Sequence, residues 1–180
     1  MILILSQIIG FLAVVLFLWS YQQKKRKNII LFNVVSRALY ITQYLLLGAF
    51  EGAVLDILGA ISSVVAAKKD SPVLRRRVKL CVIGMDAVIV AVGLLLYVSP
   101  LSLLPIAGVL LHTTAFWISD ERVIRRVSLL GSPFWFVYNL ASCAYGSAVG
   151  DLLTMVSIVA AMIKYRNLNG DSLNEDMENV

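Results

Sequence analysis

The placement of charge constrains this chain more than any other feature. Sixteen lysines and arginines occur in 180 residues. All but Arg37 fall in four places: the run Lys24 to Lys27, the segment Lys68 to Lys79, the segment Arg122 to Arg126, and the pair Lys164 and Arg166. The intervening stretches are apolar and close to the roughly 20 residues that cross the hydrocarbon core as a helix. In lipid the backbone must satisfy its own N–H and C=O groups, which a helix does and an open strand does not. The chain is 59% hydrophobic and 15% charged, with a mean hydropathy of +0.84. A soluble domain carries about 25% charged residues, so most of this chain belongs in lipid and a soluble catalytic domain is excluded. The sequence predicts an all-α integral membrane protein of seven transmembrane helices, over about 2–19, 29–47, 53–67, 80–98, 103–118, 127–144 and 149–165.

The basic runs follow helices 1, 3, 5 and 7, and the other connections carry no Lys or Arg. Cations are retained on the cytoplasmic side, so the N-terminus is expected outside and the C-terminus in the cytoplasm. The net charge of +5 and the pI near 9.4 are then a topology signal addressed to the lipid bilayer, not a nucleic-acid surface. The first apolar stretch lacks a basic leading region and a small-residue cleavage site, and reads as a retained helix, not a signal peptide. Cys81 and Cys143 lie near opposite helix ends and read as unpaired packing thiols.

The chain also repeats itself. At a shift of 95, Leu45 meets Leu140, Ala53 meets Ala148, Asp56 meets Asp151, Ser62 meets Ser157 and Lys69 meets Lys164. At a shift of 98, Leu5 meets Leu103, Gly10 meets Gly108 and Trp19 meets Trp117. Helices 1 to 3 and 5 to 7 are therefore expected as two copies of one unit, made parallel by an intervening fourth helix, a 3+1+3 plan known among transporters. The units are 1–69 and 102–166, with the basic loop and linker helix over 70–101 and an acidic, disordered cytoplasmic tail over 167–180.

Polar residues in the membrane are costly, so each needs a partner or a task. Arg37 and Asp86 lie at matching depths, roughly 10–12 Å from the basic face at 1.5 Å per residue, and are expected to form an ion pair. Asp56 and Asp151 admit two readings. Near a helix start, each favours the positive end of the macrodipole; as symmetry mates, both face a shared pathway. Helix 2 puts Arg37, Tyr40 and Tyr44 on one face, and helix 6 does the same with Trp135, Tyr138, Asn139 and Ser142. Such faces suit either a polar solute or hydrogen-bonded adhesion between helices. His112, the single histidine, is expected as a packed, hydrogen-bonded residue. Trp19 and Trp117 read as interfacial anchors, and Pro105 as a kink in helix 5. No nucleophile–base set, phosphate loop or metal cluster is legible, so no enzyme activity, cofactor or metal is expected.

The patterns Gln7-x-x-Gly10, Ser20-x-Gln22-x-Lys24-x-x-Lys27, Tyr44-Leu45-Leu46-Leu47-Gly48-Ala49 and Ser132-Pro133-x-Trp135-x-x-Tyr138-Asn139 resemble those of the YgjV-like bacterial inner membrane proteins. The resemblance runs to Arg166. It implies an inner membrane protein distantly related to PQ-loop and SWEET-like transporters, in which the third helix of each repeat carries a substrate-binding asparagine; Asp56 and Asp151 look like its counterparts. The Pro-Gln signature is missing, and Ile61 and Ser62 stand where the family often has an arginine. The expected function is a SWEET-like transporter or facilitator of a small polar solute, bound by Asp56, Asp151, Tyr44, Trp135, Tyr138 and Asn139. The alternative is a non-transporting membrane scaffold or sensor that binds a protein or lipid partner.

Overall fold

The computed structural model describes residues 2–164 in full. The acidic tail expected over 167–180 lies outside these fully described residues. The elements are α1 (Ile2–Tyr21), α2 (Arg26–Leu47), α3 (Phe50–Ala67), the short α4 (Pro72–Arg75), α5 (Val78–Leu95), a 3-10 turn (Pro100–Ser102), α6 (Leu103–Trp117), α7 (Glu121–Ala141) and α8 (Tyr145–Glu178). Among the described residues the protein is all-helical, and six helices are long and apolar enough to cross a membrane. α7 is the exception: the anticipated sixth span begins six residues early, at Glu121, and takes Arg122, Arg125 and Arg126 into its first turns. Asp120 starts it there, its Oδ1 accepting from the Arg122 amide at 2.7 Å, which satisfies an otherwise orphaned first-turn donor.

The bundle is apolar outside, as lipid demands, and buries polar residues beside an apolar core. α2 buries Asn33, Ser36, Arg37 and Gln43 while Leu31 and Leu45 face outward. α7 buries Arg125, Ser128, Ser132 and Asn139. α1 presents Leu3, Ile4 and Phe11 to the surroundings. The helices close into a ring: α1 packs on α2, α2 on α3, α3 on α6, α6 on α7, α7 on α8, and α8 back on α1. α5 lies outside this ring, against α3 and α6, and buries only Ile89 and Gly93.

Two tight turns link α2 to α3 and α7 to α8. Each has one residue in the left-handed region, Gly48 at φ 73° and Cys143 at φ 56°. In the first, the Ala49 amide donates to the Tyr44 carbonyl at 2.9 Å; in the second, Ala144 donates to Asn139 at 2.9 Å. These bonds absorb helix-end carbonyls that lipid could not satisfy. Pro105 does not kink α6. It lies in the first turn, where no N–H is needed. Trp117 is not an anchor: it is buried and its indole N–H points to Ser62 Oγ at 3.4 Å, whereas Trp19 is 59% exposed.

Candidate functional site at the centre of the ring

α2 and α7 face each other across the ring and supply most of the site. Tyr40, Tyr44 and Trp135 form a column of near-parallel rings, with centroids 6.3 Å and 6.0 Å apart. Such offset pairs add about 0.5–1.5 kcal/mol beyond their burial. At the head of the column, the Tyr44 hydroxyl donates to Asn139 Oδ1 at 2.8 Å. The Asn139 amide in turn donates to Asp151 Oδ2 at 2.8 Å. A directed chain thus runs from α2 through α7 to α8, and all three residues are buried.

The second acid is held differently. Asp56 forms a buried ion pair with Nη1 of Arg37, and Arg37 Nε donates to Asn33 Oδ1 at 3.0 Å. The guanidinium reaches α3 because residue 59 is glycine; a Cβ there would run into Arg37 and would lie 2.6 Å from a Val109 methyl. The anticipated Arg37–Asp86 pair is therefore not formed. Depth along the membrane matched the two residues, but α5 lies outside the ring while Arg37 points inward. Asp86 instead accepts from Thr114 Oγ1 at 3.4 Å.

Neither Asp56 nor Asp151 caps its own helix. α3 starts at Phe50 and α8 at Tyr145, so each acid lies six residues past the first helical residue, beyond the free N–H groups of the first turn. Both line one internal cavity together with Arg37, Tyr44, Trp135 and Asn139. Phe17, Tyr40 and His112 complete its walls. The cavity holds about 20 Å³, room for about one water molecule. His112 Nε2 lies 2.9 Å from the Ser128 carbonyl, so the ring donates there and its other nitrogen is an acceptor when the ring is neutral.

Tyr138, also expected at the site, stands beside the cavity. Its ring meets Tyr44 and Trp135 edge-on, with centroids 6.1 Å and 6.0 Å away. It also lines a separate groove of about 520 Å³ at the end of the bundle that carries the two tight turns, beside Glu51, Leu96, Ser99 and Ser142. Its hydroxyl accepts the Gly52 amide at 2.9 Å, an orphan donor of the first turn of α3. A Cβ on Gly52 would lie 2.8 Å from the Tyr138 ring, so glycine permits the closure. Across the ring, Ser147 donates to Gln43 Oε1 at 2.6 Å.

The opposite, basic end is closed by cations. Arg26 donates to the Ile118 carbonyl at 2.9 Å, to Ala66 at 2.7 Å and to Phe116. Lys69 reaches the Trp117 carbonyl and Ser119 Oγ, both at 2.7 Å, and Arg125 reaches the Gln23 carbonyl at 2.9 Å. Positive charge at helix C-termini is favourable. Burial lowers the Lys69 pKa from its ordinary value, with Arg26 acting in the same direction and Asp70 opposing. The sequence presents these three cations only as members of basic runs, and nothing in a run marks which member turns inward. Ser147 escaped notice for the same reason: it is an ordinary polar residue until the ring closes.

A family model described as a bacterial inner membrane protein, Imp-YgjV, matches residues 4–169. No curated protein and no solved structure matches the chain at a significant level.

Proposed function

The chain belongs to the Imp-YgjV family of bacterial inner membrane proteins, and from that premise we propose that it carries a small polar solute across the membrane by alternating exposure of the central cavity. The observation that carries this reading is the cavity itself, walled by two buried acids from α3 and α8 and closed at both ends by separable polar contacts. A midplane site closed from both sides is the geometry that alternating access requires.

The proposal includes two parallel three-helix units, α1 to α3 and α6 to α8, with α5 as the linker and α7 counted as a seventh span. Several facts support it. α2 and α7 begin at Arg26 and Glu121, and α3 and α8 at Phe50 and Tyr145, each pair 95 residues apart. The left-handed residues Gly48 and Cys143 stand at the same shift, as do the turn bonds Ala49–Tyr44 and Ala144–Asn139. The Gly52–Tyr138 and Gln43–Ser147 contacts exchange under it, and the Tyr44–Asn139 bond maps onto itself. That bond then lies on the pseudo-two-fold axis between the units, where rocking pivots.

The basic end is assigned to the cytoplasm by the positive-inside rule. Tyr138, bonded to Gly52, separates the cavity from the outer groove. Arg26, Lys69 and Arg125 close the inner end. In this arrangement the solute site consists of Asp56, Asp151, Tyr44, Trp135 and Asn139, with Tyr138 as the outer closure.

The test is a thermal-stability screen of the purified protein against polar solutes, repeated with Asp56→Asn and Asp151→Asn. A solute that stabilises the natural protein and loses its effect in these variants supports the reading. Stabilisation that survives the double variant unchanged removes the acids from the site, and stabilisation by lipids or partner proteins alone favours the scaffold.

A further inference from the structure

We infer that the central cavity is a binding site for a small monovalent cation of the ammonium type, with Asp151 as its counter-ion. The inference deepens the transport reading, on which it rests for what the cation does after binding; occupancy itself is tested without transport.

The charges do not balance. The walls contain Arg37, Asp56 and Asp151, whose relative exposures are 2%, 4% and 6%. Arg37 spends its charge on Asp56. Asp151 has the neutral Asn139 amide as its hydrogen-bond donor. The other groups facing it are Tyr40 and Tyr44 of α2, Asp56 of α3 and His112 of α6. None of these is a permanently charged cation: His112 donates through Nε2 to the Ser128 carbonyl, and its Nδ1 is an acceptor in the neutral ring. An ionised acid so placed is costly in the membrane and calls for a partner.

The unused hydrogen-bonding capacity points the same way. The Tyr40 hydroxyl is buried with no hydrogen-bond partner among the described residues, and it lies within electrostatic reach of both Asp151 and Asp56. Its oxygen, the remaining lone pairs of Asp151 and the acceptor nitrogen of His112 form an acceptor-rich cage. An ammonium ion is donor-only, as such a cage requires.

Size and ligand count narrow the class. The space of about 20 Å³ suits a water-sized ion and excludes a hydrated metal. The cage also offers too few oxygens for a calcium-like ion, which takes 6–8. The remaining competitors are a dehydrated alkali-metal cation, which the sodium titration tests, and a proton alone on Asp151.

The experiment is thermal unfolding of the full chain in nanodiscs at constant ionic strength, titrated with ammonium chloride and in parallel with sodium and choline chloride. The expected result is a saturable rise in Tm with ammonium, absent with choline and weaker with sodium. Asp151→Asn should reduce the apparent affinity roughly tenfold or more, and Tyr40→Phe, which keeps the ring and the charge, should reduce it several-fold, as expected for one charge-assisted hydrogen bond. Asp86→Asn, on α5 outside the ring, should leave it unchanged. If Asp151→Asn does not fold, Tyr40→Phe against Asp86→Asn decides. Equal responses to the three salts, or an ammonium response unaltered by Tyr40→Phe, overturn the inference. So does a stability that follows pH through Asp151 but ignores ammonium, which identifies a proton site only. Ammonium binding without ammonium flux in proteoliposomes contradicts the transport reading and leaves the binding site standing.

Discussion

Replacing Arg37 by methionine removes the guanidinium and keeps most of the hydrophobic stem, leaving Asp56 buried without its cation. The two side chains are 3% and 5% exposed, so solvent screens them little. Breaking a buried ion pair by deleting one partner costs about 3–5 kcal/mol. The Arg37–Asn33 bond within α2 is lost as well, and a hydrogen bond to a charged group contributes about 1.5–3 kcal/mol, less than the ion pair. The ion pair therefore dominates. A double-mutant cycle with Arg37→Met and Asp56→Asn should give a coupling of about 2 kcal/mol or more, near the upper part of the range for residues in contact. The same cycle with Asp86→Asn should give a coupling within about 0.5 kcal/mol of zero, as for sites that share no partner. The assay is reversible unfolding in mixed micelles followed by tryptophan fluorescence. A near-zero Arg37–Asp56 coupling, or a larger one between Arg37 and Asp86, would refute the arrangement of α2 between α1 and α3.

Gly59→Ala places a methyl against Arg37 and Val109; overpacking of this kind costs about 1–3 kcal/mol, and the loss should shrink in an Arg37→Met background, as read by the same unfolding assay. Cys143 is exposed at the turn end, so a membrane-impermeant maleimide added to intact cells with a permeabilised outer membrane should label it without cell lysis. Labelling only after lysis inverts the assigned orientation. Cys143 is a non-glycine residue at φ 56°, and relieving that conformation with Cys143→Gly should stabilise the protein by roughly 0.5–1 kcal/mol, as the gain in backbone freedom offsets only part of the penalty. Unchanged or lowered stability of that variant shows that the turn is not strained.

The legible parts of this fold were those governed by lipid. Apolar length and the confinement of Lys and Arg specify where helices lie, and six spans carry that signature in the structure. α7 was readable only in part, because its inward face is polar and its first turns are charged; a helix that faces lipid on one side and a polar interior on the other dilutes the hydropathy signal. The spacing along α2 and α7 correctly placed Tyr40 and Tyr44 on one face, and Trp135, Tyr138 and Asn139 on the other. Between these two faces the Tyr44 hydroxyl and Asn139 are hydrogen-bonded. What sequence could not supply was the lateral order of the helices. Depth is encoded along the chain, so Arg37 and Asp86 looked like partners, but which helix neighbours which is decided by packing. The same limit hid Arg26, Lys69 and Arg125, whose carbonyl partners lie on helices distant in sequence. Gly59 and Gly52 are ordinary in an apolar helix until a side chain from another helix lies against them.

Alternating access requires that the two ends of the cavity open in turn. Spin labels at Phe50 and Tyr145, both exposed at the turn end and first in α3 and α8, report the width of the outer side in lipid bilayers by electron–electron distance measurement. The expected result is two distance populations whose ratio shifts toward the wide one in Tyr138→Phe, which loses the bond to Gly52. A single narrow distance, identical in the natural protein and in Tyr138→Phe, with and without ammonium, would contradict it.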